Sequence, residues 1–152
     1  MAIIEIQRAA DDDMAPDDSN LQHWAETALE ALPAGTELVI RIVGPSESQA
    51  LNTEYRGKKR PTNVLSFPFE APPGLDVAHL GDLVICAQVV NDEAAQQGKP
   101  AAAHWAHMVV HGVLHLRGFD HAEPAEADAM EARETAILST LGIADPYRSP
   151  QD

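Results

Sequence analysis

Apolar and polar positions along this chain switch between a period of two and a period near 3.6. Ile3 to Arg8 is short and isoleucine-rich, the pattern of a first strand. Leu21, Trp24, Ala25, Ala28, Leu29 and Leu32 then recur at helical spacing and predict an amphipathic helix over residues 20–32. Ser19, with Gln22 three residues on, resembles its capping box. Leu38 to Val43 predicts a second strand, broken by Gly44-Pro45. Ser46 with Gln49 resembles the cap of a short helix over 47–55 that stops near Gly57. Thr62 to Phe67 predicts a third strand, closed by Pro68, which suits a sheet edge or strand end. Residues 70–80 predict a loop, and Asp82 to Ala87 a fourth strand. Helices follow over 88–97, ended by Gly98 and Pro100, and over Ala101 to Arg117. Pro124 suits the first turn of a last helix, whose apolar stripe is Met130, Ile137, Leu138 and Leu141. Four strands and about five helices in this mixed order predict an α+β fold with a small sheet, in a single domain spanning 1–152.

Composition narrows the class. The 152 residues are 45% hydrophobic, which suits a packed core. No apolar run is long enough to cross a bilayer, and Met1 to Glu5 lacks a signal-peptide pattern, so no membrane partner is expected. The lone Cys86 excludes an intrachain disulfide and fits a cytoplasmic location, with a small buried thiol at a strand end. A net charge of −14 repels polyanions and by itself argues against nucleic acid. The distribution softens that objection. Arg56, Lys58, Lys59 and Arg60 put four of the ten basic residues in one five-residue window, a local positive patch on an acidic body.

The chemistry concentrates in His111-Gly-Val-Leu-His115-Leu-Arg-Gly118-Phe-Asp120-His121. Residues four apart share one helix face, so His111 and His115 can converge on one ion. Gly118 permits the chain reversal that returns His121 to the same point. Three histidines with a fourth position for water is the pattern of a catalytic zinc site, although nickel, copper and iron also favour imidazole. His104 reads as a buried, hydrogen-bonded histidine, and His107 falls near the ligand face. Asp120 is either a turn residue or an orienting partner for a ligand imidazole. The spacing also resembles the metzincin protease motif H-E-x-x-H-x-x-G-x-x-H. Gly112 stands where those enzymes carry their general base, which argues against peptide hydrolysis. The alternative class is a zinc hydrolase of peptides or small molecules on such a scaffold.

A wider resemblance joins these pieces. Tyr55 to Glu70 (YRGKKRPTNVLSFPFE), Gly81 to Ile85 (GDLVI), His107 to His121 (HMVVHGVLHLRGFDH) and Leu141 to Tyr147 (LGIADPY) resemble the YbeY family of bacterial metal-dependent endoribonucleases. The resemblance covers most of the chain from about residue 45 onward. It implies a zincin-like α+β domain holding one Zn²⁺ on His111, His115 and His121. It implies single-strand-specific cleavage of RNA in 16S rRNA 3′-end maturation and ribosome quality control. The ribosome or its proteins are implied as partners, and DNA is not. The catalytic set it implies is Arg56 with His111 and His115. Arg56, Lys58, Lys59 and Arg60 would bind substrate phosphates. Tyr55 is a candidate for stacking a base, whereas Phe67 reads better as core packing. The residues do not choose between water and the RNA 2′-OH as nucleophile.

Overall fold

The computed structural model describes residues 2–9, 15–30, 32, 35–69, 73, 78–119 and 122–147. Asp120 and His121 lie outside these described residues, as do most of the loop between the third and fourth strands and the tail beyond Tyr147. The elements run β1 (Ile3–Arg8), α1 (Asp18–Leu29), β2 (Glu37–Val43), α2 (Pro45–Arg56), β3 (Val64–Pro68), β4 (His79–Cys86), α3 (Ala87–Gln97), α4 (Ala101–Leu116) and α5 (Pro124–Thr140). This is the expected α+β architecture.

The sheet order is β1-β2-β4-β3. β1 pairs parallel with β2, and β2 with β4, while β3 lies antiparallel on β4 at the edge. Pro68 is the last residue of that edge strand, where a missing N–H costs least. Both faces of the sheet are covered, because alternate residues of β2 and β4 turn to opposite sides. Leu38, Ile40, Ile42, Leu83 and Ile85 join the main core with α1 and α4. Val43, Val84 and Cys86 face the other way with Leu65, and Leu51 of α2 packs on them. Helices α2 and α4 therefore sit on opposite faces of the sheet.

Two capping expectations are corrected. The N-cap of α1 is Asp17, and Ser19 lies inside the first turn. The N-cap of α2 is Gly44, with Pro45 as the first helical residue, so the helix begins earlier than Ser46. Proline explains the second case, since its fixed φ suits the first turn and its missing N–H would be unpaired there anyway. β4 also begins at His79, shortening the expected loop. Among the described residues, no helix is long and apolar enough to cross a membrane.

Candidate metal centre and nucleic-acid cleft

Helix α4 is the floor of the site. Ten of its sixteen residues are buried, so its polar side chains are confined to narrow lanes. One lane carries His107, His111 and His115. Their neighbouring ring centroids lie 6.1 Å (His107 to His111) and 4.8 Å (His111 to His115) apart. Gly112 explains how close the helix comes to the sheet. A Cβ built there would stand 2.7 Å from Leu83 Cδ2 and 3.3 Å from Val64 Cγ2. The position that holds the general base in metzincins is here pressed against β3 and β4. Ser66 Oγ of β3 donates to the Gly112 carbonyl at 3.3 Å, tying strand to helix.

The helix ends at Leu116, and Gly118 takes φ +100°. The Phe119 N–H bonds back to the Leu114 carbonyl at 3.0 Å. The expected glycine stop after His115 is therefore in place. His121 itself lies outside the described residues.

Glu134 of α5 is fully buried, and sequence reasoning passed over it. Its carboxylate accepts hydrogen bonds from His111 Nδ1 at 2.6 Å, His107 Nε2 at 2.8 Å and the Tyr147 hydroxyl at 2.5 Å. Burial pushes its pKa up, but the donors from His107, His111 and Tyr147 outweigh that and hold it at about 2. The group is thus an anion at neutral pH. The Tyr147 phenol is pushed up, by burial first and then by its bond to Glu134. A signal for Glu134 existed in the sequence. It stands four residues after Met130 and three and four before Ile137 and Leu138, inside the apolar stripe rather than among the exposed acids.

His107, His111 and Glu134 bring three possible ligand atoms within 4.8 Å of one another, so this group could hold a metal. Its contacts of 2.6 and 2.8 Å are those of charge-assisted hydrogen bonds. A carboxylate accepts and does not donate, so Nδ1 is the donor of this contact and the carboxylate orients the ring. Metal-ligating histidines are commonly oriented in this way, so the donor set fits a metal held by the other nitrogen. His104 is buried and bonds Glu93 through Nε2 at 2.9 Å, as the bland reading expects.

A cleft of about 670 Å³ opens over this lane. His107, His111, His115 and Tyr147 line one side, Thr62 to Phe67 another, and Tyr55 and Arg56 close it. The sequence-predicted Arg56 thus shares a cleft with His111 and His115. Gly57, at φ +69°, ends α2 directly after it. Lys58, Lys59 and Arg60 are exposed and are not among the residues lining the cleft. Their turn is nonetheless firmly built. Buried Ser48 exchanges hydrogen bonds with the Thr62 backbone at 2.9 and 3.0 Å, and buried Asn52 donates to the Arg60 carbonyl at 2.8 Å. Phe67 is half-buried at the cleft wall, edge-on to exposed Tyr55 with ring centroids 5.0 Å apart. It serves core and cleft together.

A family model described as Endoribonuclease YbeY matches residues 5–142 of the chain. The fold is also similar to the solution structure of TM1509 from Thermotoga maritima. The two share 22% identity over 96% of this chain and 99% of that one, with a TM-score of 0.58.

Proposed function

This chain belongs to the YbeY endoribonuclease family, and on that premise we propose that it is a zinc-dependent, single-strand-specific endoribonuclease of 16S rRNA 3′-end maturation and ribosome quality control. The observation that supports the metal part is the Glu134 contact with His111 Nδ1, because metal-ligating imidazoles are commonly oriented by such a carboxylate. His111 and His115 would hold the ion together with His121. A zinc ion bound there supplies Lewis-acid stabilisation of negative charge and acidifies water, chemistry that requires no carboxylate at position 112. Arg56 binds the scissile phosphate through its planar donors and stabilises charge developing on the phosphoryl oxygens. Glu134 keeps His111 in one tautomer and one rotamer. A side chain at position 112 would have to displace the Leu83 and Val64 methyl groups, which disfavours a general base of the peptidase kind there.

Cleavage of a single-stranded RNA by the metal-loaded protein tests this reading, with a His115→Ala variant as the control. Zinc content and cleavage should fall together in the variant. Full cleavage without bound metal would sink the reading, since it would point to a contaminating ribonuclease or to different chemistry.

A further inference from the structure

The cleft touches Thr62, Asn63, Val64, Leu65, Ser66 and Phe67 in unbroken succession. Successive side chains of a strand point to opposite faces, so a groove that meets all of them runs along the strand's open edge. β3 is the last strand of the sheet and, among the described residues, pairs on one side only. What that edge displays is backbone.

The register tells which groups. The Cys86 N–H donates to the Asn63 carbonyl at 2.9 Å, and the Phe69 N–H donates to the Leu80 carbonyl at 3.1 Å. Hydrogen-bonded positions alternate along an antiparallel pair. Leu65 opposite Val84 and Phe67 opposite Asp82 therefore bond inward. Val64, Ser66 and Pro68 turn their main-chain groups outward. The Val64 N–H is taken by the Asn63 side chain, Oδ1 at 2.6 Å. That cap is itself anchored, since Asn63 Nδ2 donates to Glu93, which also holds His104. Pro68 has no N–H. Ser66 keeps the one outward N–H of β3, beside its own carbonyl.

A second polypeptide strand needs a row of donors, and here the flanking ones are removed. A phosphate would meet the outward carbonyl oxygens around that donor, whereas Arg56, which lines the same cleft, offers it a cation. An adjacent donor and acceptor instead match a nucleobase, whose pairing edge offers both. We propose that the Ser66 main-chain N–H and C=O read the Watson–Crick edge of an unpaired nucleotide lying in the cleft. This rests on the ribonuclease reading and gives it a cause for strand selectivity. In a duplex that edge is occupied by the partner base, so only single strands can dock.

The test compares an oligouridine with the same oligomer built from N3-methyluridine, whose pairing edge is blocked while its phosphates and stacking faces remain. Metal-loaded wild type should lose about tenfold or more in kcat/KM on methylation. Replacing Ser66 by its α-hydroxy acid analogue swaps the N–H for an ester oxygen. That variant should cleave the plain oligomer about tenfold more slowly, and since it keeps the Ser66 carbonyl that meets N3–H it should still distinguish the methylated one. Ser66→Ala keeps the N–H and should keep the discrimination. Equal cleavage of both oligomers by wild type, or wild-type cleavage of the plain oligomer by the ester variant, would overturn the proposal. Cleavage of neither oligomer, nor of a longer single-stranded RNA, would overturn the ribonuclease reading and this inference with it.

Discussion

His111 Nδ1 and Glu134 Oε1 lie 2.6 Å apart across a separation of 23 residues. The contact joins α4 to α5 and gives Nδ1 of that imidazole to a carboxylate. It also discriminates two ligand sets. With His111, His115 and His121 as ligands, His107→Ala should retain zinc, weakened by no more than about 10–100-fold, the usual cost of an outer partner. His115→Ala should lose it. Atomic absorption on the purified variants decides, and the reverse pattern would assign the ion to His107, His111 and Glu134.

Glu134 also predicts an acid limit to stability. Its carboxyl is held at about 2 against an ordinary 4.5. A depressed folded-state pKa contributes stability that is fully present above 4.5 and is lost as pH falls towards 2. A shift of this size corresponds to roughly 3 kcal/mol. Glu134→Gln should therefore be less stable than wild type at pH 7, with the gap closing below pH 4.5. Urea midpoints at pH 7 and pH 3 measure it. A gap independent of pH would show that the ionised form has no special role.

Gly112 should tolerate little. Ala at this position meets Leu83 Cδ2 at 2.7 Å, an overpacking cost of about 1–3 kcal/mol with some relief from the leucine's flexibility. Gly112→Glu restores the metzincin pattern in sequence but should unfold the α4–sheet contact rather than create a peptidase. Thermal melts and a peptidase assay check both halves.

Arg56 and its neighbours should separate by readout. Arg56→Glu is expected to suppress RNA cleavage by at least 100-fold while leaving zinc in place. Replacing Lys58, Lys59 and Arg60 with Ala should leave the bound-state rate near wild type, since they stand outside the cleft. It should flatten the salt dependence of binding by about 0.7 per lost contact on single-stranded RNA. Wild-type turnover by the Arg56 variant would remove that residue from the site.

Much of the fold was legible because one face of each element is buried. The stripe Leu21, Trp24, Ala25, Ala28 and Leu29 is buried throughout, as its spacing predicts. Strand order was not legible, because parallel β1-β2-β4 pairing depends on crossovers that leave no local mark. The histidine lane was legible from a spacing of four. Glu134 was hidden by composition: it sits in a helix that also carries exposed Glu126 and Asp128 and half-buried Glu131, and only its alignment with Met130 and Ile137 distinguishes it. The caps at Ser19 and Ser46 were misplaced because Asp17 and Gly44-Pro45 offer earlier starts.

β2 and β4 are parallel neighbours, and residues 44–78 form the connection between them. Arg56, the basic turn and the open edge of β3 all belong to that connection, whereas His107, His111, His115 and Glu134 all come after it. The two banks of the cleft are thus encoded in consecutive, non-overlapping cassettes of chain. Exchanging residues 45–68 between relatives would transplant one bank whole. The imidazole–carboxylate bank would stay intact, so the preference for a ligand can be changed without touching the histidines.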